Sequence, residues 1–466
     1  MARAKDVFAH FMVQNSYSYS QAEWETEISK AKETGIDGFA LNWIPPYCQS
    51  PNLSWQMDRI ADAFAAAEEL GFKLFHSFDM AYYPGGPGCS GTGWTAELIA
   101  DQLNTNKDSS AMYKWNGAIL VSTYAGTNYG NDLFRGVKDQ ARSRGFEVSI
   151  APALTDFAQD AQRIAPDQCA RNLINQFPEI DGFFNWQAWP LDVPSNLTAQ
   201  ADVEFKEALK STGRTGPYIM AVAPWQFKDL GGDSWVQNSD TLFKYRWEDA
   251  IDTVNPDIIE ILTWNDYAES SYIADLPPKS EDGPGSVQLF DQGNYVYGMS
   301  HAAWRTMTSY YIQWYKTGSR PTVTSDHAVL WYRPYPKSAQ SSSGNGSSSV
   351  RNSAGPQDAV FIWALVSKPS TISTSVGANY GILFDVHEAS VPTMYRVDFP
   401  RDFVVDIHPM TAVLRDGTTV QAADGKTPIT KNPTWTNMNA AVVGAGPLVL
   451  TFGSSSGTRR AIPWTA

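Results

Sequence analysis

The sequence predicts an α/β chain, a (β/α)8 TIM-like barrel over residues 1–321 followed by an antiparallel β-sandwich over 322–466. Three observations carry this prediction. Between residues 6 and 320, short apolar runs alternate with amphipathic helical stripes, as repeated β-α units around a parallel sheet do. Beyond residue 321 the helical stripe stops, and short alternating runs separated by Gly, Ser and Pro replace it. The length of 466 residues exceeds one ordinary core, and a barrel of about 250 residues or more leaves a second domain.

Eight barrel strands are predicted, over 7–13, 38–44, 73–79, 118–124, 147–154, 182–189, 218–225 and 258–266. Helical stripes fall between them. Residues 21–34 place Trp24, Ile28 and Ala31 on one face, 55–70 place Ile60, Phe64 and Ala67, and 302–315 supply the eighth helix. Several stripes stop at glycine, as at Gly35 and Gly71, which provides the left-handed residue that ends a helix. Two strand openings nearly repeat: Ile36-Asp37-Gly38-Phe39 leads to Asn42-Trp43, and Ile180-Asp181-Gly182-Phe183 leads to Asn185-Trp186. The Asp-Gly pair reads as the turn at the bottom of the barrel, and the Asn-Trp pair as its catalytic end. In the second domain, strands are predicted over 328–333, 359–365, 380–384, 393–399, 404–407, 440–443 and 448–452, with a polar loop at 341–349. No long tether separates the halves, so the sandwich is expected to pack on the barrel.

Composition narrows the function. Seventeen Trp, 21 Tyr and 22 Phe against 18% charged residues point to surfaces that grip something flat and uncharged, as sugar rings are. A net charge of -14 argues against nucleic acid and anionic membranes, and no run is apolar enough for a membrane span. No apolar signal-peptide core precedes the first strand, so the chain is either made without one or written in its mature form. Cys48 and Cys89 lie in loop-like surroundings and either pair or stay free, whereas Cys169 falls in a helical pattern. No His, Asp or Glu spacing matches a metal site and no Gly-rich phosphate loop follows a strand, so no metal or other cofactor is expected.

The chemistry concentrates at the strand ends. The run Ile258-Ile259-Glu260-Ile261-Leu262 reads as a buried strand, and it turns abruptly into Thr263-Trp264-Asn265-Asp266-Tyr267-Ala268-Glu269. Two carboxylates where a core strand surfaces are costly for stability alone, and a glycosidase needs two such groups flanking the scissile bond. Asp266 and Glu269 are therefore the candidate catalytic pair. The bland alternatives are an acid capping the following turn and a solvent-facing acid. Around them, the other strand ends offer Asn42, Trp43, His76, Asp79, Tyr124, Asn185, Trp186, Gln187, Trp189, Trp225, Trp264, Asn265 and Tyr267 as substrate-binding candidates. Amides and hydroxyls suit sugar hydroxyls and tryptophans suit stacking, although about half of these tryptophans are expected in the core, and His76 is more often a satisfied histidine than a proton shuttle.

The motifs Val7-Phe8-Ala9-His10-Phe11-Met12, Asp37-Gly38-Phe39-Ala40-Leu41-Asn42-Trp43, Phe75-His76-Ser77-Phe78-Asp79-Met80, Gly182-Phe183-Phe184-Asn185-Trp186 and Trp264-Asn265-Asp266-Tyr267 together resemble the fungal α-1,3-glucanases, the mutanases of glycoside hydrolase family 71. The resemblance spans essentially the whole chain. It implies a secreted, inverting endo-enzyme on α-1,3-linked glucan that acts without cofactor, with Asp266 and Glu269 as motif acids and Asp79 a further acid of the site. Two departures stand out: Ala268 replaces an expected glycine, and the region of Gly86-Pro87-Gly88-Cys89 lacks an additional cysteine. A monomer is expected. The longer Glu269 side chain reads as proton donor and Asp266 as the base that activates water, with the reverse split open. A carbohydrate-binding protein without turnover and a hydrolase of another α-glucan linkage remain rival readings.

Overall fold

The computed structural model describes residues 5–190, 196–231, 234–280, 282–339, 346 and 349–445. Its larger sheet is built from β1 (Asp6–Met12), β2 (Gly38–Trp43), β3 (Lys73–Asp79), β4 (Lys114–Trp115), β5 (Ala118–Tyr124), β6 (Val148–Ile150), β7 (Phe183–Asn185), β8 (Tyr218–Val222) and β11 (Ile258–Ile261). A separate hairpin, β9 (Phe227–Asp229) and β10 (Ser234–Val236), follows β8. The helices are α1 (Gln21–Thr34), α2 (Trp55–Leu70), α3 (Ala96–Thr105), α4 (Gly130–Ser143), α5 (Gln159–Ile164), α6 (Pro166–Gln176), α7 (Gln200–Ser211), α8 (Leu242–Glu248), α9 (Gly293–Val296) and α10 (Trp304–Thr317).

Eight of these strands run parallel in the order β6-β5-β3-β2-β1-β11-β8-β7, with β4 added antiparallel to β5. The row curls into a barrel-like sheet. Its two ends meet through backbone hydrogen bonds, from Gly182 N to Ile150 O at 3.0 Å and from Phe184 N to Pro152 O at 3.0 Å. Eight predicted strands appear, yet four stop early. β6 ends before Pro152, which has no N–H to donate to a ladder. β8 ends two residues before Pro224, and β7 ends where Gln187 N donates to the Asn185 side chain at 3.2 Å. β11 ends at Ile261 because the next residues fold back, with Thr263 N donating to Ser271 O and Ala274 N to Trp264 O.

Strand pleat divides the side chains into two layers. Phe8, Ala40, Phe75, Leu120, Phe184, Ile219 and Ile258 share the inner cluster, whereas Val7, Phe39, Leu41, Leu74, Phe183 and Ile259 pack outward with the helices. The helices start and stop on local chemistry. Ser20 and Glu23 form a reciprocal capping box at α1, and Gly35 at φ 96° closes it in the left-handed region open to glycine.

The C-terminal part contains two antiparallel four-stranded sheets. One has the order β16-β13-β12-β19, from β12 (His327–Tyr332), β13 (Ala359–Leu365), β16 (Thr393–Asp398) and β19 (Ala441–Ala445). The other has the order β15-β14-β17-β18, from β14 (Ser370–Val376), β15 (Asn379–Val386), β17 (Met410–Arg415) and β18 (Thr418–Asp424). Leu330 and Ile362 from the first and Ile372 and Val413 from the second lie in one apolar cluster. β14, β17 and β18 were not predicted, because Ser and Thr fill most of β14 and neither β17 nor β18 shows a sustained apolar alternation. The strand expected at 404–407 is absent: Val404 and Val405 are exposed, and Ile407 makes only an isolated bridge to Ile429. The strand expected at 448–452 and most of the loop at 341–349 lie outside the described residues. Trp225 Nε1 donates to Met438 O, Trp331 Nε1 to Asp240 O, and Trp363 Nε1 to the Tyr311 hydroxyl, so the two parts share buried contacts.

Candidate active site

A cleft of about 630 Å³ opens at the C-terminal ends of the parallel strands. Tyr124, Trp186, Gln187, Trp189 and Glu269 line it, all five expected from the sequence. Trp186 meets Tyr124 edge to face at 4.8 Å and His10 at 4.9 Å, which fixes its ring on the cleft floor. Trp189 is 6% exposed and donates through Nε1 to Trp225 O at 3.1 Å.

The turn after β11 is strongly tied down. Asp266 N donates to Thr263 Oγ1 at 2.8 Å, and Glu269 N donates to Asp266 Oδ1 at 3.1 Å. Asp266 thus does cap its own turn. Glu269 reaches into the cleft, where its Oε2 accepts from Gln226 Nε2 at 2.8 Å and its Oε1 from Lys228 Nζ at 3.1 Å. The two carboxyls stand in different electrostatic settings. Burial, and then the Glu269 carboxylate, push Asp266 up to about 7 against the opposing pull of Lys228. Asp79, buried at the end of β3, is also pushed up to about 7 by burial, with only the N–H of Ala81 on its Oδ1 to oppose it. The phenol of Tyr124 feels both Glu269 and Asp79, so the acids are electrostatic neighbours, but of the three only Glu269 lines the cleft, and Asp266 and Asp79 lie behind its surface.

Other candidates lie elsewhere. Trp43, Trp225 and Trp264 are fully buried, and all three belong to the helix-facing core instead of the cleft lining. Their N–H groups are spent inside the protein, Trp43 on His76 Nδ1 at 3.2 Å, Trp225 on Met438 O and Trp264 on Glu27 Oε2 at 2.8 Å. His76 packs among Phe64, Phe78 and Trp43, and burial lowers its pKa to about 4, which keeps it neutral. Asn185 faces outward to Asp202 at 2.8 Å. Asn265 ties the turn to β1, accepting from Met12 N at 2.7 Å, and the Tyr267 hydroxyl donates to Asp275 O at 2.9 Å. Asn42 is buried on the inner side of β2, 1% exposed and away from the cleft lining. None of these residues lines the cleft.

Sequence reasoning passed over Gln226 as a role, and missed Lys228, Trp235 and Arg351 entirely. Lys228 and Arg351 stand over the Trp235 ring at 5.0 and 5.5 Å, forming one wall on the β9-β10 hairpin. Alternation was the available signal for the first pair, since Gln226 and Lys228 are two apart and face the same way. Beneath the floor, His10 Nδ1 lies 2.7 Å from Glu260 Oε1, and both are buried. Glu260 was visible as the one charge in an apolar strand. Among the described residues no group of three or more His, Cys, Asp or Glu is arranged to hold a metal ion, and no helix is long and apolar enough to cross a membrane. Cys48 and Cys89 form a disulfide, and Cys169 is free and buried.

The family model described as glycosyl hydrolase family 71 matches residues 3–448. The chain is 30% identical over 431 residues to a glucan endo-1,3-alpha-glucosidase of Schizosaccharomyces pombe, covering 90% of each protein. It is 31% identical over 390 residues to a mutanase of Penicillium rubens, covering 82% of this chain and 77% of that one. Among solved structures, the GH99 endo-alpha-mannosidase from Bacteroides thetaiotaomicron superposes with a TM-score of 0.46 at 11% identity, over 67% of this chain and 97% of that one. With a family model matched along nearly its whole length and a relative at 30% identity across nine-tenths of it, the chain belongs to glycosyl hydrolase family 71.

Proposed function

We propose that this protein is an endo-acting hydrolase of α-1,3-glucan that cleaves by a single displacement with inversion, using Asp266 and Glu269 as its acid and base. The observation that carries this reading is the asymmetry between the two carboxyls. Glu269 accepts from a lysine and an amide, whereas burial and the neighbouring Glu269 favour a proton on Asp266. A carboxyl that its surroundings hold protonated is suited to be the acid. Asp266 then donates to the leaving glycosidic oxygen and Glu269 takes a proton from the attacking water. This reverses the split favoured by side-chain length, because partners outweigh reach. Lys228 pairs with Glu269 and restrains the rise of Asp266.

The glucan linkage comes from the printed activities of the relatives in Schizosaccharomyces pombe and Penicillium rubens. Trp186, Trp189 and Tyr124 supply the apolar faces and Gln187 a hydroxyl partner, as an uncharged sugar chain requires. NMR of products before mutarotation tests the mechanism. Newly formed β-anomer from an α-1,3-glucan is expected, and initial α-anomer would replace inversion by a two-step retaining route.

On domains, the same reading assigns residues 1–321 to a catalytic barrel and 322–466 to an accessory β-sandwich packed on it as one monomeric unit. The buried tryptophan contacts between the two parts support it. Limited proteolysis should not release two separately stable pieces at residue 321. The Cys48–Cys89 disulfide fits an oxidising compartment and hence an extracellular enzyme, which should be recovered from culture medium and not from cell extract.

A further inference from the structure

A second groove, of about 670 Å³, lies where the barrel meets the C-terminal part. Asp240, Lys244 and Tyr245 line it from the barrel side, and Gln357, Tyr395 and Arg396 from the other. It is not isolated from the catalytic cleft. A smaller pocket of about 280 Å³ shares Arg163 and Gln187 with the cleft and Asn196 with the second groove, so the three depressions adjoin one another.

The groove repeats the chemistry of the cleft without its acid pair. Its two tyrosine rings are held in place beforehand. The Tyr245 hydroxyl accepts from Leu197 N at 3.1 Å, while the Tyr395 hydroxyl donates to Asp385 O at 3.0 Å and its ring stacks on Phe384 at 4.5 Å. Rings fixed in this way lose little freedom when a ligand arrives. Between them stand an amide and charged groups of both signs. Asp240, 6% exposed, accepts from Gln357 N at 2.8 Å through Oδ2. Such a mixture offers donors and acceptors to a neutral polyol and suits neither an anion nor an apolar peptide.

We propose that this groove is a distal binding site for the same neutral polysaccharide chain that enters the catalytic cleft, carrying glucose units well beyond the bond being cut. The inference rests on the glucan-hydrolase reading. Binding a remote part of the chain raises the local concentration of the near part at the cleft. Long substrates therefore gain and short ones do not.

The test compares wild type with Tyr395→Ala and with Arg396→Ala, the latter removing an exposed side chain and opening no core cavity. Adsorption to insoluble α-1,3-glucan and turnover of α-1,3-linked glucose oligomers of increasing length are both read. Tyr395→Ala should weaken adsorption about tenfold, the worth of one well-stacked ring, and Arg396→Ala by less. Both should turn over the shortest cleavable oligomer like wild type while losing the gain with length. Unchanged adsorption and length dependence in both variants overturns the distal site while leaving the catalytic reading intact. A uniform loss at all lengths also overturns it, because the damage would then be to the cleft. Failure of wild type to cleave or adsorb α-1,3-glucan removes the catalytic reading and this proposal with it.

Discussion

Asn42-Trp43 and Asn185-Trp186 end two barrel strands that open almost identically, yet they present opposite faces. Trp43 is fully buried among the helices and Trp186 lines the cleft, while Asn42 lies on the inner side and Asn185 faces outward to Asp202. One residue makes the difference. From Gly38 to Trp43 is five positions and from Gly182 to Trp186 is four, and a strand alternates with period two. Phe39 and Phe183 both point outward and Ala40 and Phe184 both inward, so the openings are in phase and the ends are not. A motif at a strand end reaches the cleft only in the phase that faces it.

The contrast between cleft-facing and core-facing residues can be broken in three ways. The largest effect is expected at the acids. Asp266→Asn and Glu269→Gln keep shape and remove proton transfer, so each should lower kcat by roughly 10³-fold or more while KM changes little. A variant retaining more than a tenth of wild-type kcat would remove that residue from the pair.

The tryptophans sharpen the comparison directly. Trp186→Ala should raise KM about tenfold or shorten the products with only a modest loss of stability, since its ring is part of the cleft surface. Trp43→Ala should instead cost about 3–5 kcal/mol of stability, as truncation of a large buried ring does, with KM little changed in whatever folds. Thermal melting and steady-state kinetics on both proteins decide this, and matching behaviour would abolish the distinction.

The smallest effect is a pH dependence. Asp79 has its folded-state pKa raised from 3.8 to about 7, so the favourable contribution of its neutral form is fully present below about pH 4 and is lost as pH rises through 7. Above that, the folded protein bears the cost of a buried charge. Asp79→Asn should therefore raise Tm by about 2 °C or more at pH 8 and progressively less towards pH 4. Equal gains at both pH values would show that Asp79 is not held neutral by its surroundings.

The sequence by itself determined the eight parallel strands, since apolar runs and helical stripes of the right length recur in order. It also determined the glycine stops and the acids after β11, because charges that interrupt an apolar strand end have few places to go. The short strands β14, rich in Ser and Thr, and β17 stayed hidden, for their burial depends on a facing sheet and not on a clear apolar alternation of their own. The outward turn of Trp264 stayed hidden as well. Counting by twos from Ile258 puts it inward, but β11 stops at Ile261 and the chain doubles back, so that its N–H meets Glu27 on α1. Only the tertiary structure brought Lys228 from the β9-β10 hairpin to Glu269, 41 residues away in sequence. That contact gives the two carboxyls different partners, because partners are set by neighbours in space, which local periodicity does not encode.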